Sequence, residues 1–288
     1  MHIGLIGTGI MGSAIARRLL SKGYELTVYN RTKAKAEALK IFNAKVADTP
    51  KEVAKCELVI TVLKDAKVLE DICFSNGMLD SKFTLADVST INPIDSRRIA
   101  NRLREYGITM LDTPVMGGPQ LAENGELIVM ASGKKDMFDR YIHVFEAIGK
   151  KVFYLGDNGS AATMKLAMNL QIAMLALSLS EGIALVKGAK LDPAIFLEIL
   201  NSTYFKTGMS ERKGPKMIKY NFEKSFALSM MRKDLHEINF TTKELGLSLP
   251  LASLAENIYL AADNLGYGEL DYTGILAFIE KINRLENE

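Results

Sequence analysis

The sequence predicts an α/β fold: a doubly wound, mostly parallel sheet in the first half, an all-α second half, and a long helix linking them. Two observations carry this expectation. Short apolar strands alternate with helical segments from residue 2 to about residue 155, and from Gly159 onward the apolar spacing is helical only. Composition sets the frame. The 288 residues suffice for two domains, 24% are charged and 48% hydrophobic, and 36 Lys+Arg nearly balance 34 Asp+Glu. This is the profile of a globular chain without a disordered tail, and a net charge of +2 gives no reason to invoke nucleic acid.

The parallel strands are read at HIGLI (2–6), ELTVY (25–29), ELVITVL (57–63), FTLADV (83–88) and ITMLD (108–112). Gly23 closes the first helix. Thr49 with Pro50 and Asn92 with Pro93 each set a capping residue before a first-turn proline, and the second of these helices ends near Gly107. LIVMAS (127–132) and KVFYL (151–155) are two further strands around a helix from about Lys135 to Ile148. After Gly156 the strand pattern stops, which places a boundary between domains 1–158 and 159–288. Asp192 with Pro193, and Leu249 with Pro250 after the turn at Gly246, open helices in the second domain.

Several classes are set aside. The run from Leu170 to Val186 is interrupted by Gln171, Ser178, Ser180 and Glu181, so it reads as a buried helix and no membrane is expected. Cys56 and Cys73 lack redox or metal spacing, and His2, His143 and His236 are scattered, so neither a disulfide scaffold nor a metal is expected. The N-terminus has no signal-peptide pattern, and the expected location is cytoplasmic.

GTGIMG follows the first strand and opens a helix. Gly7 allows the tight turn, Gly9 lets backbone approach a pyrophosphate, and Gly12 lets the helix pack on the strand, with Thr8, Ile10 and Met11 completing the cradle. The helix N-terminus offers unpaired N–H groups to phosphates. Dinucleotide binding follows. Eighteen residues after Gly12, where an NAD enzyme places a carboxylate against the ribose, this chain has Asn30, Arg31 and Thr32. A guanidinium and a hydroxyl suit a 2′-phosphate, so NADP(H) is expected over NAD(H).

Four stretches, GTGIMG, DTPVMGG (112–118), GSAATMKLAMN (159–169) and RKDL (232–235), make the whole chain resemble the β-hydroxyacid dehydrogenases, typified by 3-hydroxyisobutyrate dehydrogenase and glyoxylate/succinic semialdehyde reductase. The resemblance implies a Rossmann domain, a long helix, an all-helical domain and an active site in the cleft between the domains. Lys165 and Asn169 are one helical turn apart; the resemblance makes Lys165 the general acid/base and has Asn169 position the substrate or the lysine. The family pattern DxPVSGG places Met116, Gly117 and Gly118 at the substrate carboxylate, with Met116 here replacing a serine whose hydroxyl helps bind it. RKDL is read as beginning a helix, with Lys233 beside the cofactor and Asp234 either structural or orienting it. Leu63, Lys64, Ser89 and Thr90 occupy cofactor-facing strand ends, Thr90 being the stronger contact and Lys64 either a contact or merely solvated.

The function implied is NADP(H)-dependent interconversion of a small hydroxy acid with its aldehyde or keto acid: succinic semialdehyde, glyoxylate, 3-hydroxyisobutyrate or serine. The alternatives are an imine reductase-like enzyme, which usually lacks the lysine, and a non-catalytic NADPH-binding module. A 6-phosphogluconate dehydrogenase needs a second domain larger than the roughly 130 residues present. Arg212 and Lys213 either face the cleft and help hold a substrate anion in place of the missing serine or, as such charges more often do, form a solvated helix face, and they are left out of the site. A homodimer or homotetramer is the expected assembly.

Overall fold

The computed structural model describes residues 1–285 and divides into two compact units, Met1–Lys165 and a second that begins at Leu166. Residues 286–288, the end of the predicted second domain, lie outside the described residues.

The first unit is a sheet of nine strands: β1 (His2–Ile6), β2 (Glu25–Tyr29), β3 (Lys45–Val46), β4 (Leu58–Thr61), β5 (Thr84–Asp87), β6 (Thr109–Asp112), β7 (Val115–Met116), β8 (Leu127–Gly133) and β9 (Gly149–Tyr154). Their order is β3-β2-β1-β4-β5-β6-β8-β7, with β9 also on β8. From β3 to β6 every pairing is parallel, whereas β8 runs antiparallel to β6 and β7 and parallel to β9. The chain order reverses between β1 and β4, as in a doubly wound fold. Strands β4 and β5 are buried at every position, which is why they read as unbroken apolar runs rather than alternating ones. Two strands of two residues, β3 and β7, were not expected, because so short a segment cannot display a period.

Helices α1 (Ile10–Ser21), α2 (Lys33–Glu37), α3 (Pro50–Val53), α4 (Ala66–Ser75), α5 (Pro93–Glu105), α6 (Pro119–Asn124) and α7 (Lys135–Ile148) cover the sheet. Helix α1 buries Ala14, Ile15, Ala16 and Leu19 against Leu5, Leu26 and Val28, and α5 buries Ile99, Ala100 and Leu103 with Leu85 on the other face. Each such leucine or isoleucine contributes about 1.5–3 kcal/mol when fully buried. The Asn92 cap forms as expected, its Oδ1 accepting from the Ile94 and Asp95 N–H groups. Thr49 does not cap in that way. Its hydroxyl donates to Glu52 Oε1 instead, and α3 lasts four residues.

Helix α8 (Ser160–Gly188) begins in the first unit and continues into the second, where α9 (Pro193–Asn201), α10 (Gly208–Arg212), α11 (Gly214–Met217), α12 (Leu228–Glu244), α13 (Pro250–Ala262) and α14 (Ile275–Ile282) follow. By length and apolar composition α8 is able to cross a membrane. Its buried stripe, Leu166, Asn169, Ala173, Ala176, Ser180 and Ile183, steps by three and four residues, and the apolar members pack with Leu228, Leu235, Tyr259 and Ile275. On the opposite side of α8, Leu185 is 74% exposed. RKDL does not begin its helix. α12 starts four residues earlier, where the Leu228 N–H is held by the Leu270 carbonyl, a tertiary bond that local sequence does not announce.

Candidate active site

The glycine-rich turn leaves β1 with its backbone fixed from two sides: the Gly7 N–H donates to the Tyr29 carbonyl, and the Val62 N–H to the Ile6 carbonyl. Gly7 has φ +99°, and a Cβ there would fall 2.2 Å from the Val62 carbonyl oxygen. A Cβ on Gly12 would lie 1.9 Å from the Gly7 carbonyl oxygen, so helix and turn touch only because both residues lack side chains. Gly9 differs. A Cβ there meets nothing within 4 Å, and Gly9 caps α1 without a side-chain bond, leaving the first-turn N–H groups open and no acid nearby. Beside it the Thr8 hydroxyl is buried and has no hydrogen-bond partner among the described residues. Open N–H groups, an orphaned hydroxyl and an empty approach over Gly9 fit a pyrophosphate.

Asn30 ties this turn to the end of β2, its Oδ1 accepting from the Thr8 N–H at 3.1 Å and its Nδ2 donating to the Thr32 carbonyl at 3.0 Å. Arg31 and the Thr32 hydroxyl are exposed and make no hydrogen bond or ion pair among the described residues. Next to them Lys33 is paired with Asp48 at 2.6 Å. At the following strand ends the Leu63 N–H donates to Ser89 Oγ at 2.9 Å, while the Ser89 and Thr61 hydroxyls donate to Asp87 Oδ1 at 2.6 and 2.7 Å. Burial pushes the Asp87 carboxyl up to about 6 against these hydrogen bonds, and nearby Asp112 adds to the rise. Lys64 is exposed and makes no hydrogen bond or ion pair among the described residues, and Thr90 is half-buried.

Lys165 stands beside the DTPVMGG stretch: its Nζ lies 3.3 Å from Met116 Sδ, an ammonium donating to a weak thioether acceptor. Gly117 and Gly118 are exposed on the same loop, Gly117 with φ +129° and Gly118 opening α6 without a side-chain cap. The structure thus brings Lys165 and Met116, the last residue of β7, together within the first unit.

Sequence reasoning missed the group that holds this arrangement. Asp112, 3% exposed at the end of β6, accepts from the Ser96 hydroxyl at 2.6 Å, the Ser132 hydroxyl at 2.7 Å, Asn158 Nδ2 at 3.3 Å and the Gly159 N–H at 2.5 Å. Ser132 Oγ in turn accepts the Ala161 N–H at 3.1 Å. A carboxylate therefore sits at the start of α8, where the helix dipole favours negative charge.

In the second unit Asn169, 2% exposed, donates through Nδ2 to Asp234 Oδ2, and Lys233 Nζ lies 2.8 Å from Asp234 Oδ1 in an ionic contact without hydrogen-bond geometry. Asp234 joins the two side chains singled out from sequence. Lys213 is not on a solvated face: it pairs with buried Asp271 at 2.9 Å. Burial raises the Asp271 pKa, but hydrogen bonds from Ser225, Lys213 and Thr273 outweigh it and hold the carboxyl below its ordinary value. Among the described residues no cluster of His, Cys, Asp and Glu is arranged to hold a metal.

A doubly wound sheet whose first turn is open to a pyrophosphate defines a dinucleotide-binding protein. The family model for the NAD binding domain of 6-phosphogluconate dehydrogenase matches residues 2–156, and that for the NAD-binding region of NADP-dependent 3-hydroxyisobutyrate dehydrogenase matches residues 159–279. The chain belongs to the β-hydroxyacid dehydrogenase family. It is 33% identical over 281 residues to the chloroplastic glyoxylate/succinic semialdehyde reductase 2 of Arabidopsis thaliana, covering 96% of this chain and 78% of that one. It is 29% identical over 285 residues to 2-hydroxy-3-oxopropionate reductase of Escherichia coli K12, covering 97% of each. The crystal structure of a 3-hydroxyisobutyrate dehydrogenase from Salmonella typhimurium superposes with a TM-score of 0.89 at 27% identity, over 96% of this chain and 99% of that one. The activity that goes with this family is NAD(P)-dependent hydroxyacid dehydrogenase chemistry on small substrates.

Proposed function

We propose that the protein is an NADP(H)-dependent oxidoreductase that interconverts a small hydroxy acid with its aldehyde or keto acid, with Lys165 as the general acid/base. The observation that carries this reading is the Lys165 ammonium at Met116, on the loop where Gly117 and Gly118 present exposed backbone. The relatives named for glyoxylate, succinic semialdehyde and 3-hydroxyisobutyrate support the same substrate class. When bound, the nicotinamide supplies or accepts the hydride.

The chain's own residues do the rest. The Gly117 and Gly118 N–H groups hold the substrate carboxylate. As charge develops on the carbonyl oxygen, Lys165 Nζ donates its proton to that oxygen; in the oxidative direction neutral Lys165 removes it. Asn169, its amide fixed by Asp234, positions the substrate, and Lys233 is held ready by the same carboxylate. Gly7, Thr8, Gly9, Ile10, Met11 and Gly12 cradle the pyrophosphate, Arg31 and Thr32 take the 2′-phosphate, and Asn30 shapes the turn between them. Leu63, Lys64 and Thr90 complete the cofactor side. The exposed apolar side chains Leu185, Leu191, Ile195 and Ile199 of the second unit support assembly with further copies of the chain.

The test is the initial rate of NADPH oxidation with glyoxylate, succinic semialdehyde and methylmalonate semialdehyde, and of NADP reduction with 3-hydroxyisobutyrate and serine. Lys165→Met is compared with the unmodified chain. Loss of the general acid is expected to cost about 10²–10⁴-fold in kcat. A variant that keeps most of its turnover overturns the assignment.

A further inference from the structure

The geometry points to Asp112 as the residue that positions Lys165 for proton transfer, an assignment that rests on reading Lys165 as the acid. One buried carboxylate collects four donors from three separate places: α5 through Ser96, β8 through Ser132, and the entry to α8 through Asn158 and Gly159. Ser132 extends this grip to the Ala161 N–H. Ala161 lies four residues before Lys165, so the fixed turn of α8 is the one directly beneath the lysine on the same face.

The other side of the contact is tied to the same strand. Met116 pairs with Ile128 of β8, and Ser132 stands four residues further along that strand. Strand β8 thus sets the place of Met116 by ladder bonds and, through Ser132 and Asp112, the place of the helix that carries Lys165. The Nζ to Sδ distance of 3.3 Å is the outcome of both. Asp112 acts on position, through Ser96, Ser132, Asn158 and Gly159, the groups whose hydrogens it accepts.

An asparagine in its place keeps the shape but supplies one acceptor oxygen and a donor. With the oxygen turned towards Gly159 and Ser132, the new amide N–H₂ faces Asn158 Nδ2, donor against donor; turned the other way, it faces the Gly159 N–H. Either way the start of α8 must shift. A misplacement of about 1 Å at a reacting group costs up to about 10²-fold.

The experiment compares Asp112→Asn, Ser132→Ala and Lys165→Met in the full chain. It reads thermal unfolding, NADPH dissociation constant by fluorescence, and KM and kcat for the best substrate of the panel. A fall in kcat of about 10- to 100-fold for Asp112→Asn, with KM and the NADPH constant within about threefold, is the expected result. Ser132→Ala is expected to move kcat in the same direction by less, and it carries the test if Asp112→Asn does not fold. Unchanged kcat in the folded variant, or equal losses in kcat, KM and cofactor affinity, overturns the positioning role. Lys165→Met that keeps its turnover overturns the underlying reading as well; Lys165→Met inactive beside a fully active Asp112→Asn overturns positioning alone.

Discussion

Asp87 is the partner of Asp112 across β5 and β6, and burial pushes the Asp87 carboxyl up to about 6. A folded-state value above the ordinary one means that Asp87 favours the folded state most when it is protonated. Its contribution is intact below about pH 4 and is lost as the pH rises through about 6, by on the order of 3 kcal/mol. Among the described residues the hydrogen bonds to its carboxylate converge on Oδ1, so Asp87→Asn keeps the acceptor that Thr61 and Ser89 use. Urea unfolding across pH 4 to 8 is expected to show the variant gaining on the unmodified chain as the pH rises; a difference independent of pH contradicts the argument. Met116 carries a second prediction. A serine there restores a hydroxyl donor, and one neutral hydrogen bond of about 1 kcal/mol implies a gain of roughly fivefold in kcat/KM for small carboxylates. Steady-state kinetics of Met116→Ser on glyoxylate reads it directly. The glycines were legible at this scale because the conformation each one permits is a property of the residue itself. Asp112 was not, because a buried acid shows its role only through partners distant in sequence, here Ser132 and Gly159; Asp234 was read as structural or as orienting Lys233, but its bond to Asn169 was not legible.

The turn between β1 and α1 separates two kinds of glycine. Gly12→Ala pushes a methyl group against the Gly7 carbonyl and is expected to destabilise the fold by about 1–3 kcal/mol, the range for overpacking. Gly9→Ala meets no atom, so its melting temperature is expected to match that of the unmodified chain while NADPH affinity falls, because the methyl group occupies the space over the open N–H groups. Calorimetry with and without NADPH distinguishes the two. Elements announced by a period or a cap, such as α5 with Asn92 and α7 from Lys135, were readable in the sequence. Those made by pairing were not. Strand β7 exists because Val115 and Met116 find β8, and α12 starts at Leu228 because Leu270 holds it.

Over the whole molecule, positive and negative side chains nearly cancel, with 36 Lys+Arg against 34 Asp+Glu. A chain of such small net charge does little to draw an anionic nucleotide from a distance. Any discrimination between two cofactors differing by one phosphate must be made on contact, and Arg31 is free to make it, since it has no carboxylate partner to give up among the described residues. Arg31→Ala is expected to lower NADPH affinity and leave NADH affinity unchanged, read by fluorescence titration of each; equal effects on both would remove Arg31 from the 2′-phosphate. The exposure of that guanidinium has a further result. Its attraction is open to counterions, and the screening length shortens from about 30 Å at 0.01 M to about 3 Å at 1 M ionic strength. With Arg31 on the 2′-phosphate as proposed, the ratio of NADPH to NADH affinity is expected to be widest in dilute buffer and to narrow as salt is added.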